Sequence, residues 1–319
     1  MAFVRVPGNL EPEGAQELSL EGRGGVKLRA MLAPALTGSP RGSVIVCQGR
    51  TEFIEKYFEI ARDLQSRGFV VFTFDWRGQG LSDRETDNPL KGHLESMDDP
   101  VQDLGDAIKH LGAQLPKPHL VIAHSMGGGI ALRAMQTRRL EPDAALFSAP
   151  MWGILSLKDF TLKFVRFMAS VGAGKMFAPG VETTWKKESF KKNLVTHDKE
   201  RHARGQSLIQ AEPRLALAGP TIGWVNAAAD AFEGFRRPSA LANLRMPITV
   251  LSAGQEALVS NLAHGELAKL LPNAQHIVID AARHEIMMET DPVRAQFWAA
   301  FDRLAEAVAP PQLSAAPVA

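Results

Sequence analysis

Ser125 stands in "VIAHSMGGGI" (121–130), between an apolar run and a glycine cluster, with Ala123 two residues before it and Gly127 two after. Small residues at those spacings suit a chain that leaves a strand, bends sharply and enters a helix, projecting the serine oxygen at the bend. A serine hydroxyl is a poor nucleophile until a base takes its proton, and the base must itself be oriented. Among the nine histidines, His284 is best placed, in the loop "AARHE" after the apolar run "HIVID" (276–280). The orienting carboxylate is expected in the loop after "ITVLSA" (248–253), where "GQEALVSN" offers only Glu256; Asp280 is the alternative. Backbone N–H groups must then receive the charge of a tetrahedral intermediate. The amide of Met126, at the start of the helix, is one expected donor. The amide of Arg50, in "QGRTEF" after "SVIVCQ" (43–48), is the other. The chemistry is acyl transfer from a carbonyl to serine and on to a second acceptor. A phosphate-cradling loop is the competing reading of a glycine-rich strand-helix turn, but the lysine of a P-loop is missing.

The remaining histidines have blander expected roles. His124 faces the other way along the bend and packs, while His264 and His276 fall on a helix and at a strand start. His93, in "KGHLES", either lines the approach to the site or is a satisfied loop residue.

Positioning these residues requires a sheet. Strand-like runs recur at 26–32, 43–48, 69–75, 119–124, 144–148, 248–253 and 276–280, most from the third on continuously apolar, as strands covered on both faces must be. Helical patterns alternate with them. "FIEKYFEIARDLQSRG" is stopped by Gly68, and "SMDDPVQDLGDAIKHLG" runs from a Ser96 cap to Gly112. The later "NLAHGELAKLLP" and "DPVRAQFWAAFDRLAEAV" each follow a strand. This alternation predicts a doubly wound α/β domain with right-handed crossovers. Ligands bind beyond the carboxyl ends of its strands, where Ser125, Arg50, Glu256 and His284 all fall.

The alternation breaks between 151 and 237, where apolar residues from Met151 to Val171 recur at helical spacing and no strand is convincing. The predicted organisation is therefore a core in two parts, 1–150 and 238–308, with a helical cap at 151–237 inserted between them. The small, proline-rich tail at 309–319 is expected to be disordered.

Composition narrows the function. A net charge of +1 gives no reason to expect a nucleic-acid partner. Cys47 is the only cysteine, so no internal disulfide forms, and its place in an apolar run predicts a buried thiol. Pro7, Gly8, Glu11 and Pro12 interrupt the stretch that a signal peptide would need. No run approaches the ~20 apolar residues of a membrane span, so a soluble, cytoplasmic protein is expected.

Taken together, "CQGRTEFIEKY", "FDWRGQGLSDR", "GHLESMDD", "AHSMGGGIALR", "AGPTIGW" and "ARHEI" resemble the bacterial lysophospholipases related to monoacylglycerol lipases and serine-aminopeptidase-like hydrolases. The likeness extends from about residue 16 to 305. It implies an α/β-hydrolase fold with Ser125 as nucleophile, His284 as base, Glu256 as acid, and the Arg50 and Met126 amides as oxyanion donors. Three positions depart from the family's usual pattern. Alanine replaces glycine at 123, glutamate replaces aspartate at 256, and Gln48-Gly49 replaces the His-Gly of the monoacylglycerol lipase branch. "FDWRGQGLSD" reads as a structural turn, with Asp75 and Ser82 hydrogen-bonded inside it.

The expected enzyme is a serine carboxylic ester hydrolase needing no metal or organic cofactor, with monoacylglycerols or lysophospholipids as substrates. An acyltransferase using the same residues, and a non-catalytic binder of an apolar ligand, are the alternatives. The cap's apolar stripe is expected to line an acyl pocket or to pack on the core. Seven Lys or Arg against four Asp or Glu between 182 and 204 admit weak contact with an anionic lipid surface, possible at the inner face of the membrane, or else form a solvated face.

Overall fold

A computed structural model describes residues 3–311. The predicted strand runs all enter one eight-stranded sheet: β2 (Lys27–Ala33), β3 (Gly42–Cys47), β4 (Phe69–Phe74), β5 (His119–His124), β6 (Ala144–Ser148), β7 (Ile248–Ala253) and β8 (Ala274–Ile279). An additional strand, β1 (Gln16–Glu21), was not expected. Its sequence QELSLE alternates polar and apolar residues, because an edge strand buries one face and carries no continuous apolar run. The strand order is β1-β2-β4-β3-β5-β6-β7-β8. The β1–β2 and β2–β4 pairs are antiparallel, and every pair from β4 to β8 is parallel.

Helices α1 (Phe58–Ser66), α2 (Asp98–Leu111), α3 (Ser125–Gln136), α8 (Asn261–Leu270) and α9 (Asp291–Val308) connect or follow the strands. Gly68 ends the first at φ 86°, and Gly112 caps the second at φ 49°. The Ser96 hydroxyl accepts the amide of Asp98 at the start of α2. Central strands β3, β4, β6 and β7 are buried along their whole length. Cys47 lies among them, its thiol pushed up to about 12 by burial.

Between β6 and β7 the described residues form helices α4 (Asp159–Ser170), α5 (Lys199–Ala211), α6 (Ile222–Phe235) and α7 (Pro238–Leu241), with no strand beyond isolated bridges. At the other end, Ala309 is packed and Arg41 donates to its carbonyl at 2.6 and 2.9 Å. The rest of the tail expected to be disordered lies, from residue 312, outside the described residues.

The topology places the chemistry. From β3 the chain steps to β4 on one side and then returns to β5 on the other, so the strand order reverses at β3. Loops leaving β3 and β5 diverge there and open a crevice at the carboxyl edge. Cys47 pairs with Ala123 at that edge, so the Arg50 turn and the Ser125 bend are neighbours.

Candidate active site

Ser125 adopts φ 48°, a left-handed conformation unusual for a non-glycine residue. The strain is held by close packing around the bend. A methyl group on Gly127 would lie 2.3 Å from the Cys47 carbonyl oxygen and 2.5 Å from that of Gln48. One on Gly128 would lie 2.6 Å from the Pro150 side chain. The glycines after the serine are thus required by the approach of β3 and of the turn after β6. Ala123, in place of the family's usual glycine, is fully buried in β5.

Three remote segments meet at this bend. His284 Nε2 lies 2.9 Å from Ser125 Oγ, and its Nδ1 lies 2.8 Å from Glu256 Oε2. The other Glu256 oxygen accepts the amides of Ala257, Leu258 and Val259, which fixes the longer side chain in one orientation. Burial works against ionisation of Glu256, but His284 and those amides outweigh it and hold the carboxyl below its ordinary range. Asp280, the alternative acid, is exposed at the end of β8. With Glu256 on Nδ1, Nε2 is the nitrogen that faces the serine.

Met126 lies in the first turn of α3, where amides have no intrahelical acceptor. The Arg50 amide has no acceptor among the described residues, and Arg50 and Met126 line the same small void. The two expected donors thus share one side of the serine bend.

Several groups not singled out in the sequence support this arrangement. Glu52 is buried, accepts Gly49 N–H at 2.5 Å and the Tyr57 hydroxyl at 2.6 Å, and pairs with Lys56 at 2.8 Å. Burial opposes its charge, yet Lys56, His124 and Tyr57 bring its pKa down to about 2. Lys56 also binds Glu285, beside His284, at 2.6 Å. No distinct signal in the sequence marks Glu52, because it is one of several charged residues in "RTEFIEKYFE" (50–59). The His284 loop is braced from the segment after α4 as well: Glu285 donates its amide to the Val195 carbonyl, and Arg283 donates to those of Asn193 and Thr196.

Three other histidines are held by hydrogen bonds. His124 Nδ1 meets the Ser148 carbonyl at 3.0 Å, and its ring lies 4.9 Å from that of His284. His264 bonds Ser252 and the Pro150 carbonyl, and burial brings it down to about 4. His276 also bonds Ser252. In "FDWRGQGLSD", Ser82 donates to the Asp75 carbonyl, while the Asp75 carboxylate accepts the amides of Ile54 and Leu81 and binds Arg29. The turn is structural, as expected.

The pattern of the hydrolase family described as serine aminopeptidase, S33, matches residues 38–291. The chain belongs to the S33 serine aminopeptidase family. Like other S33 proteins it is a serine hydrolase. It is 32% identical over 282 residues to a probable lysophospholipase L2 of Haemophilus influenzae, covering 86% of this chain and 87% of that protein. Lysophospholipase L2 of Escherichia coli is 31% identical over 264 residues, covering 79% of this chain and 76% of that protein. A monoacylglycerol lipase of Mycolicibacterium smegmatis is 25% identical over 284 residues, or 86% and 94% of the two chains. In fold, the S33 chain is similar to a monoglyceride lipase of Saccharomyces cerevisiae (TM-score 0.75, 17% identity, 95% of this chain and 99% of that one). The α/β-hydrolase fold and the family expected from the sequence are both borne out.

Proposed function

We propose that this hydrolase cleaves carboxylic esters through a covalent acyl-enzyme, with lysophospholipids or monoacylglycerols as substrates. The observation that carries the reading is the continuous hydrogen-bonded line from Ser125 through His284 to Glu256 beside unpaired amides. In this reading Ser125 Oγ attacks the ester carbonyl as His284 Nε2 takes the hydroxyl proton. Glu256 keeps Nδ1 protonated and stabilises the imidazolium. The Arg50 and Met126 amides receive the negative oxygen, a contribution of about 10²–10³ in rate per donor. The tetrahedral intermediate collapses as the alcohol leaves with the proton from Nε2. Water then attacks the acyl-serine by the same route, releasing the fatty acid and restoring the hydroxyl. The names of the lysophospholipase and monoacylglycerol lipase relatives support the substrate class.

We read residues 151–237 as a cap over this edge of the sheet. Ile154 and Leu155 bridge to Val259 and Leu258, just after Glu256, so the segment leading into α4 is anchored at the site. Only Val165 of α4 is buried, while Phe160 and Phe167 are 83% and 62% exposed. This apolar face, and the exposed Lys186, Lys187, Lys191 and Lys192 further along the inserted segment, support the reading of reversible contact with an anionic membrane. Arg201 and Arg204 take no part, because both are bound to Glu59. No helix among the described residues is long and apolar enough to cross a membrane.

A fluorophosphonate probe is expected to label Ser125, and Ser125→Ala to remove both labelling and turnover of p-nitrophenyl esters, monoacylglycerols and lysophospholipids. Undiminished hydrolysis by that variant refutes the assignment. Products formed with added glycerol separate hydrolysis from acyl transfer.

A further inference from the structure

Arg50 carries a charge that no acidic group among the described residues neutralises. No carboxylate forms an ion pair with it among the described residues. Its Nη2 donates to the Ala218 carbonyl at 2.5 Å, and its guanidinium sits 5.4 Å from the Trp224 ring centre. Its Nε is sealed from solvent with no acceptor, although the residue keeps part of its surface exposed. Burial alone lowers its pKa, to about 10, with no acidic neighbour acting in the other direction. Arg77, which lines the same void, shows the contrast, since it is bound to Asp103 and Glu85. Burying an unpaired guanidinium is unfavourable, and one carbonyl and one aromatic ring do not supply a counter-charge.

A second buried donor faces the same void. His93 Nδ1 lies 2.8 Å from the Thr221 hydroxyl, which also accepts the Trp224 amide. The hydroxyl has a second lone pair and its own proton, so it can accept from or donate to Nδ1; in the tautomer with Nδ1 unprotonated, Nε2 is a donor. That Nε2 is buried without a hydrogen-bond partner; the exposed Glu95 carboxylate is 3.9 Å away. Burial lowers the His93 pKa, with Lys175 and Lys91 acting the same way against Glu95. The void between Arg50, His93, Met126 and Trp224 holds about 10 Å³, room for one phosphate oxygen rather than a whole phosphate.

We propose that the Arg50 side chain, with His93 Nε2 beside it, binds the phosphodiester of a lysophospholipid whose ester is held at Ser125. The inference rests on the ester-hydrolase reading above and narrows its substrate class from neutral to anionic glycerolipids. A lysolipid phosphorus lies one glycerol unit from the ester carbonyl, about as far as a guanidinium lies from its own backbone amide. One residue therefore spans both ends of the reacting headgroup, its amide at the oxyanion and its guanidinium at the phosphate. Arginine suits this because its guanidinium stays charged and its unpartnered Nε–H can meet one phosphate oxygen while Nη2 holds the Ala218 carbonyl. Gly92 makes room for it, since a methyl group there would lie 2.5 Å from Nη2.

The test compares kcat/KM for a short-chain 1-acyl lysophosphatidylglycerol with that for the monoacylglycerol of the same chain, both below their micelle concentrations. The wild type is expected to favour the phosphodiester. Arg50→Met should lower the ratio of the two values by about 10–100-fold, whatever happens to the absolute rates through the oxyanion turn. Gly92→Ala displaces the guanidinium without altering Arg50 itself and should lower the same ratio. A ratio that stays constant in both variants overturns the proposal and assigns Arg50 a structural role. Wild-type turnover of monoacylglycerol but not of lysophosphatidylglycerol overturns it while leaving the ester-hydrolase reading intact. Absence of turnover and of fluorophosphonate labelling in the wild type refutes that underlying reading instead.

Discussion

Glu52 accepts the backbone N–H of Gly49 at 2.5 Å and Gln79 donates to the Gly49 carbonyl at 2.9 Å, so buried side chains fix the turn that carries the Arg50 amide. The Glu52 bond is local in sequence, but its strength is set by remote groups, because Lys56 links the same carboxylate to Glu285 next to His284. The turn after β3 and the histidine loop are therefore tied through a single ionic chain.

Glu52→Gln should loosen that tie and make stability less sensitive to acid. The folded pKa of Glu52, about 2, lies below its ordinary 4.5. An acid with a depressed pKa stabilises the fold fully above its unfolded value, and the contribution is lost as pH falls through the folded one. In urea unfolding, the wild type's advantage over the variant is expected at pH 7 and should shrink as pH falls from about 4.5 toward 2. An advantage independent of pH contradicts this.

Gly127→Ala should damage both stability and turnover. Its methyl group meets two backbone carbonyls rather than a side chain that could turn away, so the bend itself must move. The expected cost is about 1–3 kcal/mol of stability, and a misplaced Ser125 loses about 10²-fold in kcat. Thermal melting and p-nitrophenyl ester kinetics check the two effects. A variant with wild-type kinetics means that the bend tolerates a shift of this size.

Glu256→Gln should lower kcat by up to about 10⁴-fold, because an amide can hold the imidazole in the wrong tautomer and cannot stabilise the imidazolium. Asp280→Asn should leave kcat within about twofold, as expected of an exposed side chain away from special contacts. If the two effects are reversed, the acid has been wrongly assigned. Since Glu256 is held below the usual carboxylate range, its protonation should not limit activity near pH 5.

The exposed face of α4 gives a prediction about lipid surfaces. Replacing Phe160 and Phe167 by serine should reduce co-sedimentation with anionic phospholipid vesicles, while turnover of a water-soluble short-chain ester is retained. Equal sedimentation of wild type and variant removes α4 from the contact.

The α/β architecture, seven of the eight strands and the residues that meet at the site were legible in the sequence. Buried parallel strands must be continuously apolar, and a strained serine bend needs small residues where other backbone approaches it. The first strand was missed because an edge strand shows only weak alternation, and Glu52 because one acid among several nearby charged residues has no characteristic spacing. The chain itself could nominate Glu256 and Asp280 as candidate acids, but not choose between them by contact. Distances separate them, since Glu256 Oε2 reaches His284 while Asp280 lies exposed. The unpaired charge of Arg50 likewise became visible only in three dimensions. A counter-ion can come from anywhere along the chain, and its absence is a property of the packed molecule rather than of neighbouring residues.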